Sequence, residues 1–204
     1  MAARRSDVSP GPGLDVLTAG EALVLLAAEE AGALHAVERF RRFSAGAELN
    51  VATGLARLGL RVGYLSRLGD DAFGRFIAEV IEREGIVGAF ATLDPGSSNG
   101  FMLKSLAADG ADPQIEYFRR GSAASRMDAG DLARLEPTRA RHVHLTGILP
   151  ALSPGCRELA RMLAQRARTQ GGSLSFDPNL RPRLWPDRKE MIRCINALAA
   201  LSDL

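Results

Sequence analysis

The apolar residues of this chain fall into short continuous runs that alternate with stretches of helical spacing. Residues 14–19 are a mostly apolar run, the pattern of a strand buried on both faces of a parallel sheet. Residues 22–26 continue as a second apolar run. Residues 44–59 read SAGAELNVATGLARLG. There Ala45 and Gly46 lead into a helix with the stripe Leu49, Ala52, Leu55, Ala56 and Leu58, closed by Gly59 where a left-handed cap belongs. The spacing then predicts a strand at 62–65 and a helix capped by Asp70 or Asp71. The stripe of that helix is Phe73, Phe76, Ile77, Val80 and Ile81, and Gly85 ends it. After a stretch poor in helical signals, 100–106 and 115–119 read as two strands whose connection holds the turn pair Asp109-Gly110. A strand at 142–146 is followed by a helix that Ser153 caps and Pro154 opens, with the stripe Cys156, Leu159, Ala160 and Leu163. A strand at 173–176 precedes a helix from Asp187 to about 200, where Glu190 completes a capping-box pattern. Residues 202–204 read as the start of another strand.

Strands alternating with amphipathic helices imply an α/β fold with a mostly parallel sheet and right-handed crossovers. The segments near 21–44 and 98–120 interrupt that rhythm. Residues 1–13 carry no apolar run and end in Pro10-Gly11-Pro12-Gly13, so a disordered tail is expected there and one α/β domain over 14–204.

Composition narrows the function classes. A chain of 204 residues can bury a real core, and its formal net charge of +2, with no basic stripe interleaved with aromatics, argues against a nucleic-acid partner. No apolar run is long enough to span a bilayer, and residues 1–13 lack the apolar segment of a secretory signal. The expectation is a cytoplasmic protein with no membrane partner. Cys156 and Cys194 lack CxxC spacing and read as buried free thiols of a reducing compartment. His142 and His144 share a strand face, but no carboxylate or Cys accompanies them, so no direct metal site is expected.

Three stretches carry candidate chemistry. Gly46 lets the backbone approach a ligand, and Asn50 places a polar amide one turn inside the helix, where propensity gives no reason for it. A tight turn into a packing helix with an exposed Asn explains the same residues. Tyr117 and Arg119 lie two apart on a strand and face the same way, so a guanidinium can pair an anion beside a phenol. A solvated Arg on an edge strand is the plainer alternative. Asp177-Pro178-Asn179-Leu180-Arg181 follows a strand, at the end of the sheet where α/β folds bind ligands, and Arg181 can stabilise phosphoryl charge there. It can equally be a surface turn built from Asp, Pro and Asn.

The run Gly46 to Gly59, together with Leu68-Gly69-Asp70-Asp71-Ala72-Phe73-Gly74, resembles the ribokinase-like (PfkB-type) carbohydrate kinases, with Ala45 in place of the first Gly of their Gly-Gly signature. Gly20-Glu21 and the run Tyr117-Phe118-Arg119 to Ala123 resemble the 2-keto-3-deoxygluconate kinase branch of that family, and 177–181 resembles the family's Asp-x-Asn-x-Arg motif. The resemblance implies a ribokinase-like α/β fold with a small β-sheet lid formed near 21–44 and 98–120. It implies ATP and Mg²⁺ as cofactors and a sugar or sugar acid, 2-keto-3-deoxygluconate first, as substrate. Gly46, Asn50, Tyr117, Arg119 and Arg181 are then substrate-binding, and Asn179 with Arg181 organises the phosphate and metal region. Pairing of two copies through the lid is a further implication.

The family's catalytic Gly-Ala-Gly-Asp run does not occur in the sequence; Asp128-Ala129-Gly130-Asp131 comes nearest, in a segment where Asp131 reads as a helix N-cap. No catalytic base is therefore expected within these residues, and the nucleotide-binding part of such a kinase is expected beyond Leu204. Two other readings stay open: a non-catalytic domain that binds a sugar acid or pairs with another chain, and a kinase of a neutral sugar such as fructose or ribose.

Overall fold

The computed structural model describes residues 13–107 and 112–204, so residues 1–12 of the expected tail and the pair Asp109-Gly110 lie outside the described residues. Two sheets account for the strands. In chain order the elements are β1 (Leu14–Ala19), β2 (Leu23–Ala28), β3 (Phe40–Ala45), α1 (Ala47–Arg57), β4 (Val62–Gly69), α2 (Ala72–Arg83) and β5 (Ala91–Asp94). Then come β6 (Phe101–Lys104), β7 (Ile115–Phe118), β8 (Ala140–Thr146), α3 (Leu149–Leu152), α4 (Pro154–Thr169), β9 (Ser173–Asp177) and α5 (Arg188–Ala199).

The larger sheet has five strands in the order β5-β4-β1-β8-β9, all parallel. One face packs Val16, Val62 and Tyr64 against Leu49 and Ala52 of α1 and Ile77 and Ile81 of α2. The other packs Leu17, Leu65, Val143, Leu145 and Leu174 against Leu159 and Leu163 of α4 and Ile195 of α5. Burial on both faces explains why the central strands β1 and β4 read as mostly apolar runs, whereas β8 and β9 alternate polar and buried apolar residues.

The smaller, mixed sheet has the order β3-β2-β6-β7. It forms the lid: β2 leaves the end of β1 after only Gly20, Glu21 and Ala22, and β6 follows β5 by six residues. Aromatic packing seats it on α2, where Phe101 stacks on Phe118 at 4.7 Å and meets Phe73 at 5.4 Å, while the Arg42 guanidinium lies 3.9 Å above the Phe76 ring.

Several expectations are corrected. Leu58 is not on the buried stripe of α1 but 79% exposed, because it lies at the C-cap, past the last full turn. The four-residue strand β5 was not legible, since ATLD carries no period of its own and pairs as the sheet's edge. Asp131 is not the N-cap. Asp128 caps the 3-10 helix Ala129–Leu135, and the buried Asp131 carboxylate reaches back to the Asp128 N–H at 2.8 Å and pairs with Arg67 and Arg134. Asp187 does cap α5, accepting from the Glu190 N–H at 2.8 Å, but the Glu190 side chain pairs with Arg157 of α4 instead of closing the box. Of the two cysteines, Cys156 is buried and Cys194 only partly so.

At the end of the chain the N–H groups of Asp203 and Leu204 donate to the Leu174 carbonyl at 2.8 and 3.3 Å, so these residues run beside β9. His142 and His144 meet the hydroxyls of Ser173 and Ser175 at 2.7–2.9 Å, and among the described residues no group of three or more His, Cys, Asp or Glu could hold a metal ion.

Candidate active site

In the strand order β5-β4-β1-β8-β9 the chain builds outward from β1 to β5, then returns to the opposite side of β1 to place β8 and β9. The strand order therefore switches between β1 and β8, and a parallel sheet opens a crevice beyond the carboxyl ends of the strands at such a point. Gly20 follows β1 and Thr146 ends β8 at this crevice, and the lid's first strand starts there.

The crevice floor is polar and buried. The Gly20 carbonyl accepts from Tyr64 Oη at 3.0 Å and Ser66 Oγ at 2.8 Å. Glu48, in the first turn of α1, lays its carboxyl group over Gly20 so closely that a Cβ there would overlap it. Thr146 Oγ1 donates to Glu48 Oε1 at 2.6 Å, joining α1 to β8 across the switch point. Among the described residues Glu48 Oε2 and the Thr18 hydroxyl are buried without a hydrogen-bond partner. Gly46 has φ +139°, and a Cβ on it would lie 2.5 Å from the Glu21 carbonyl oxygen, so only glycine allows the lid junction and the α1 entry to meet.

Above the floor, Arg119 follows β7 and forms an ion pair with Glu21, their side chains being 11% and 1% exposed. Ser122 Oγ donates to Glu21 Oε1 at 2.5 Å. The Tyr117 ring lies 5.8 Å from the Arg119 guanidinium and is about half exposed, and Arg119 Nε is buried without a hydrogen-bond partner among the described residues. Asn99 fixes the second lid junction, its amide donating to the carbonyls of Ala22 and Gly100 at 3.2 and 2.9 Å.

Asn179 has φ +36° and folds back on Asp177, with its backbone N–H at 2.8 Å and its side-chain amide at 3.1 Å from that carboxylate. Arg181 is exposed, its guanidinium resting on the Leu180 carbonyl at 2.9 Å. A Cβ at Gly147 would overlap the Pro178 carbonyl, which holds the end of β8 tight against this loop. The loop thus lies at the same edge of the sheet as Gly20 and Thr146.

Of the sequence candidates, Gly46, Tyr117 and Arg119 come together around Glu21, while Asn179 and Arg181 share the neighbouring loop. Asn50 is exposed, and its N–H closes the first turn of α1 onto the Gly46 carbonyl at 2.9 Å. The polar side chain that α1 turns inward is Glu48. Sequence reasoning missed it, although it lies four residues before Ala52 and seven before Leu55, on the apolar stripe itself. It also did not pair Glu21 with Arg119, 98 positions away.

Burial raises the Glu48 pKa from 4.5 to about 7, against the pull of the Thr146 hydrogen bond. Below pH 4.5 the folded and unfolded states are both protonated here; between 4.5 and 7 the unfolded chain ionises while the folded one holds its proton. Stability therefore falls with rising pH across that window and levels off above pH 7, by roughly 3 kcal/mol from this group. Glu48→Gln is expected to be close to neutral at pH 4.5 and stabilising by about that amount at pH 8. Urea midpoints at the two pH values check this; a difference from wild type that does not change with pH would show that Glu48 ionises normally.

Residues 14–204 match the family described as pfkB family carbohydrate kinase. The chain is 42% identical over 191 residues to the 2-dehydro-3-deoxygluconokinase of Bacillus subtilis, which covers 93% of this chain and 59% of that protein. Its structure is similar to that of a PfkB protein from Polaromonas sp. JS666, with TM-score 0.88 and 46% identity over 94% of this chain and 64% of that one. A sugar kinase from Pyrococcus horikoshii solved in complex with ATP matches with TM-score 0.82 and 27% identity, over 92% of this chain and 61% of that one. The chain thus spans about three fifths of the length of these relatives.

Proposed function

The chain belongs to the pfkB family of carbohydrate kinases, and on that premise we propose that it carries the acceptor half of an ATP-dependent kinase for a sugar acid, 2-keto-3-deoxygluconate. The observation that carries this reading is Arg119, held with the half-exposed Tyr117 above the switch-point crevice. A guanidinium flanked by a phenol recognises a carboxylate in bidentate fashion, which a neutral ketose does not offer. The identity to the Bacillus subtilis protein supports the same substrate.

In this reading the sugar lies between the lid and the carboxyl ends of β1 and β8. Arg119 and Tyr117 hold its acid end, and the backbone around Gly46, with Asn50 at the helix entry, borders its hydroxyls. Arg181 is free to meet phosphate charge, and Asn179, locked by Asp177, shapes the loop between acceptor and nucleotide. ATP supplies the phosphoryl group when bound. The exposed Arg181 fits a phosphate, whereas the described residues offer no carboxylate cage for Mg²⁺, which would come with the phosphates and keep its waters. Phe43 of the lid, nearly half exposed, leaves room for pairing of two lids.

Phosphoryl transfer also needs a base for the acceptor hydroxyl and donors for the developing charge. The sequence has no Gly-Ala-Gly-Asp run, and the nearest match, Asp131, is buried in an ion-pair network with Arg67 and Arg134. Lacking base and anion hole costs at least about 10³-fold, so the 204-residue chain with ATP, Mg²⁺ and the sugar acid is expected to form ADP at least that far below a typical ~10 s⁻¹. Turnover within tenfold of that rate in a coupled assay would show that these residues contain the catalytic centre.

A further inference from the structure

Arg119 is already neutralised. Its guanidinium pairs with Glu21, whose carboxyl is enclosed by Ser122 Oγ at 2.5 Å and by Gly100, where a Cβ would lie 2.8 Å from Glu21 Oε1. A sugar acid that binds Arg119 would therefore place two carboxylates on one guanidinium inside a buried crevice, and two carboxylates sharing one site cannot both stay charged. Resting on the sugar-acid reading above, we propose that Glu21 is the specificity gate of this site: the incoming carboxylate shares Arg119 with Glu21, and Glu21 takes one proton from solvent onto its own oxygen.

The balance is simple. One sugar acid anion and one proton enter, the only bond formed is the O–H on Glu21, and the crevice keeps its net charge. A neutral sugar leaves the Glu21–Arg119 pair intact and takes up no proton. The groups around Glu21 favour it as the acceptor. Burial already raises its pKa, while Arg119 and the Ser122 hydroxyl hold it down. Once Arg119 is shared, the largest restraint weakens. Glu48 of α1, Tyr64 of β4 and Cys156 of α4 are the other ionisable groups that feel the Glu21 charge, and all three are themselves displaced upward by burial. The gate explains why a site built for an anion keeps an acid within it: Glu21 rejects anions that cannot supply the hydroxyl contacts needed to offset its protonation.

The test is calorimetric titration of the 204-residue chain at pH 8 in two buffers of different ionisation enthalpy, which counts protons. With 2-keto-3-deoxygluconate, wild type should take up close to one proton; with fructose, none. Glu21→Gln should bind the acid about tenfold more tightly, with the uptake abolished and fructose affinity unchanged. Ser122→Ala, a milder change that keeps both charges, should shift uptake and acid affinity in the same directions by a smaller amount. Glu48→Gln should leave most of the uptake in place. Acid binding without proton uptake, or uptake that survives Glu21→Gln and vanishes in Glu48→Gln, overturns the gate and leaves the sugar-acid reading standing. If wild type and Glu21→Gln both fail to bind the acid, the reading and the gate fall together.

Discussion

Arg119→Ala is expected to lower the unfolding free energy by about 3–5 kcal/mol, although the residue lies in the lid, just past β7. The cause is its partner. The Glu21 side chain is 1% exposed, and its only counter-charge among the described residues is the Arg119 guanidinium. Removing that charge leaves a buried carboxylate that must either stay charged in a poor solvent or take up a proton. Removing both members should cost much less, so Glu21→Gln/Arg119→Ala is expected to recover most of the loss. Urea unfolding followed by far-ultraviolet circular dichroism measures both. A single-variant loss below about 1 kcal/mol would be the behaviour of an exposed pair and would contradict the enclosed geometry.

The second large effect is expected at Gly46. An alanine there must adopt φ +139° and place its Cβ 2.5 Å from a backbone oxygen, that of Glu21. Neither obstacle can be relieved by a side-chain movement. The strained backbone costs of order 1–3 kcal/mol and the clash adds to it, so Gly46→Ala is expected to lose more than about 3 kcal/mol. Gly59→Ala is the control. It also has positive φ, at +89°, but nothing lies within 4 Å of its Cβ, so only the left-handed penalty of about 1–2 kcal/mol applies. Thermal or urea unfolding of the two variants should therefore differ clearly. Equal losses would mean that the contact with Glu21 contributes nothing and that Gly46 serves only the turn.

The contrast between these glycines also shows what the sequence makes legible. Gly59 and Gly85 end helices, and a local pattern is enough to place them, because a left-handed cap depends on its immediate neighbours. Strands β1, β4, β8 and β9 of the parallel sheet were legible for a similar reason: burial writes their apolar residues as a run or an alternation, which the edge strand β5 lacks. The C-terminal boundary of β4 was not, because Ser66 and Gly69 near its end serve the site, while Leu68 between them still packs in the core. Ser66 bonds to Gly20, and the backbone N–H of Gly69 reaches the Asn99 side chain at 3.4 Å.

The candidate site was legible only in part. Gly46, Tyr117 and Arg119 stood out because each is locally unusual. Glu21, Glu48, Ser122 and Thr146 did not, since each is ordinary within its own segment and gains meaning from partners about 100 positions away. A carboxylate on the apolar stripe of α1 was the one local sign, and it is Glu48. Asn50 is conspicuous for the opposite reason: an unusual amide in a helix stands out in sequence, and the fold leaves it exposed at the entry of α1. Asp131 misled, because capping depends on backbone geometry three residues upstream, where Asp128 takes that place.

The central claim is that this crevice selects a sugar acid through Arg119. Equilibrium titration of the 204-residue chain with 2-keto-3-deoxygluconate and with fructose tests it most directly, using Glu21→Gln/Arg119→Ala as the folded comparison. The account predicts saturable binding of the acid at least about 30-fold tighter than fructose, with that preference lost in the double variant and fructose affinity nearly unchanged. Fructose bound as tightly as the acid by wild type, or an acid preference that survives the loss of Arg119, would contradict it.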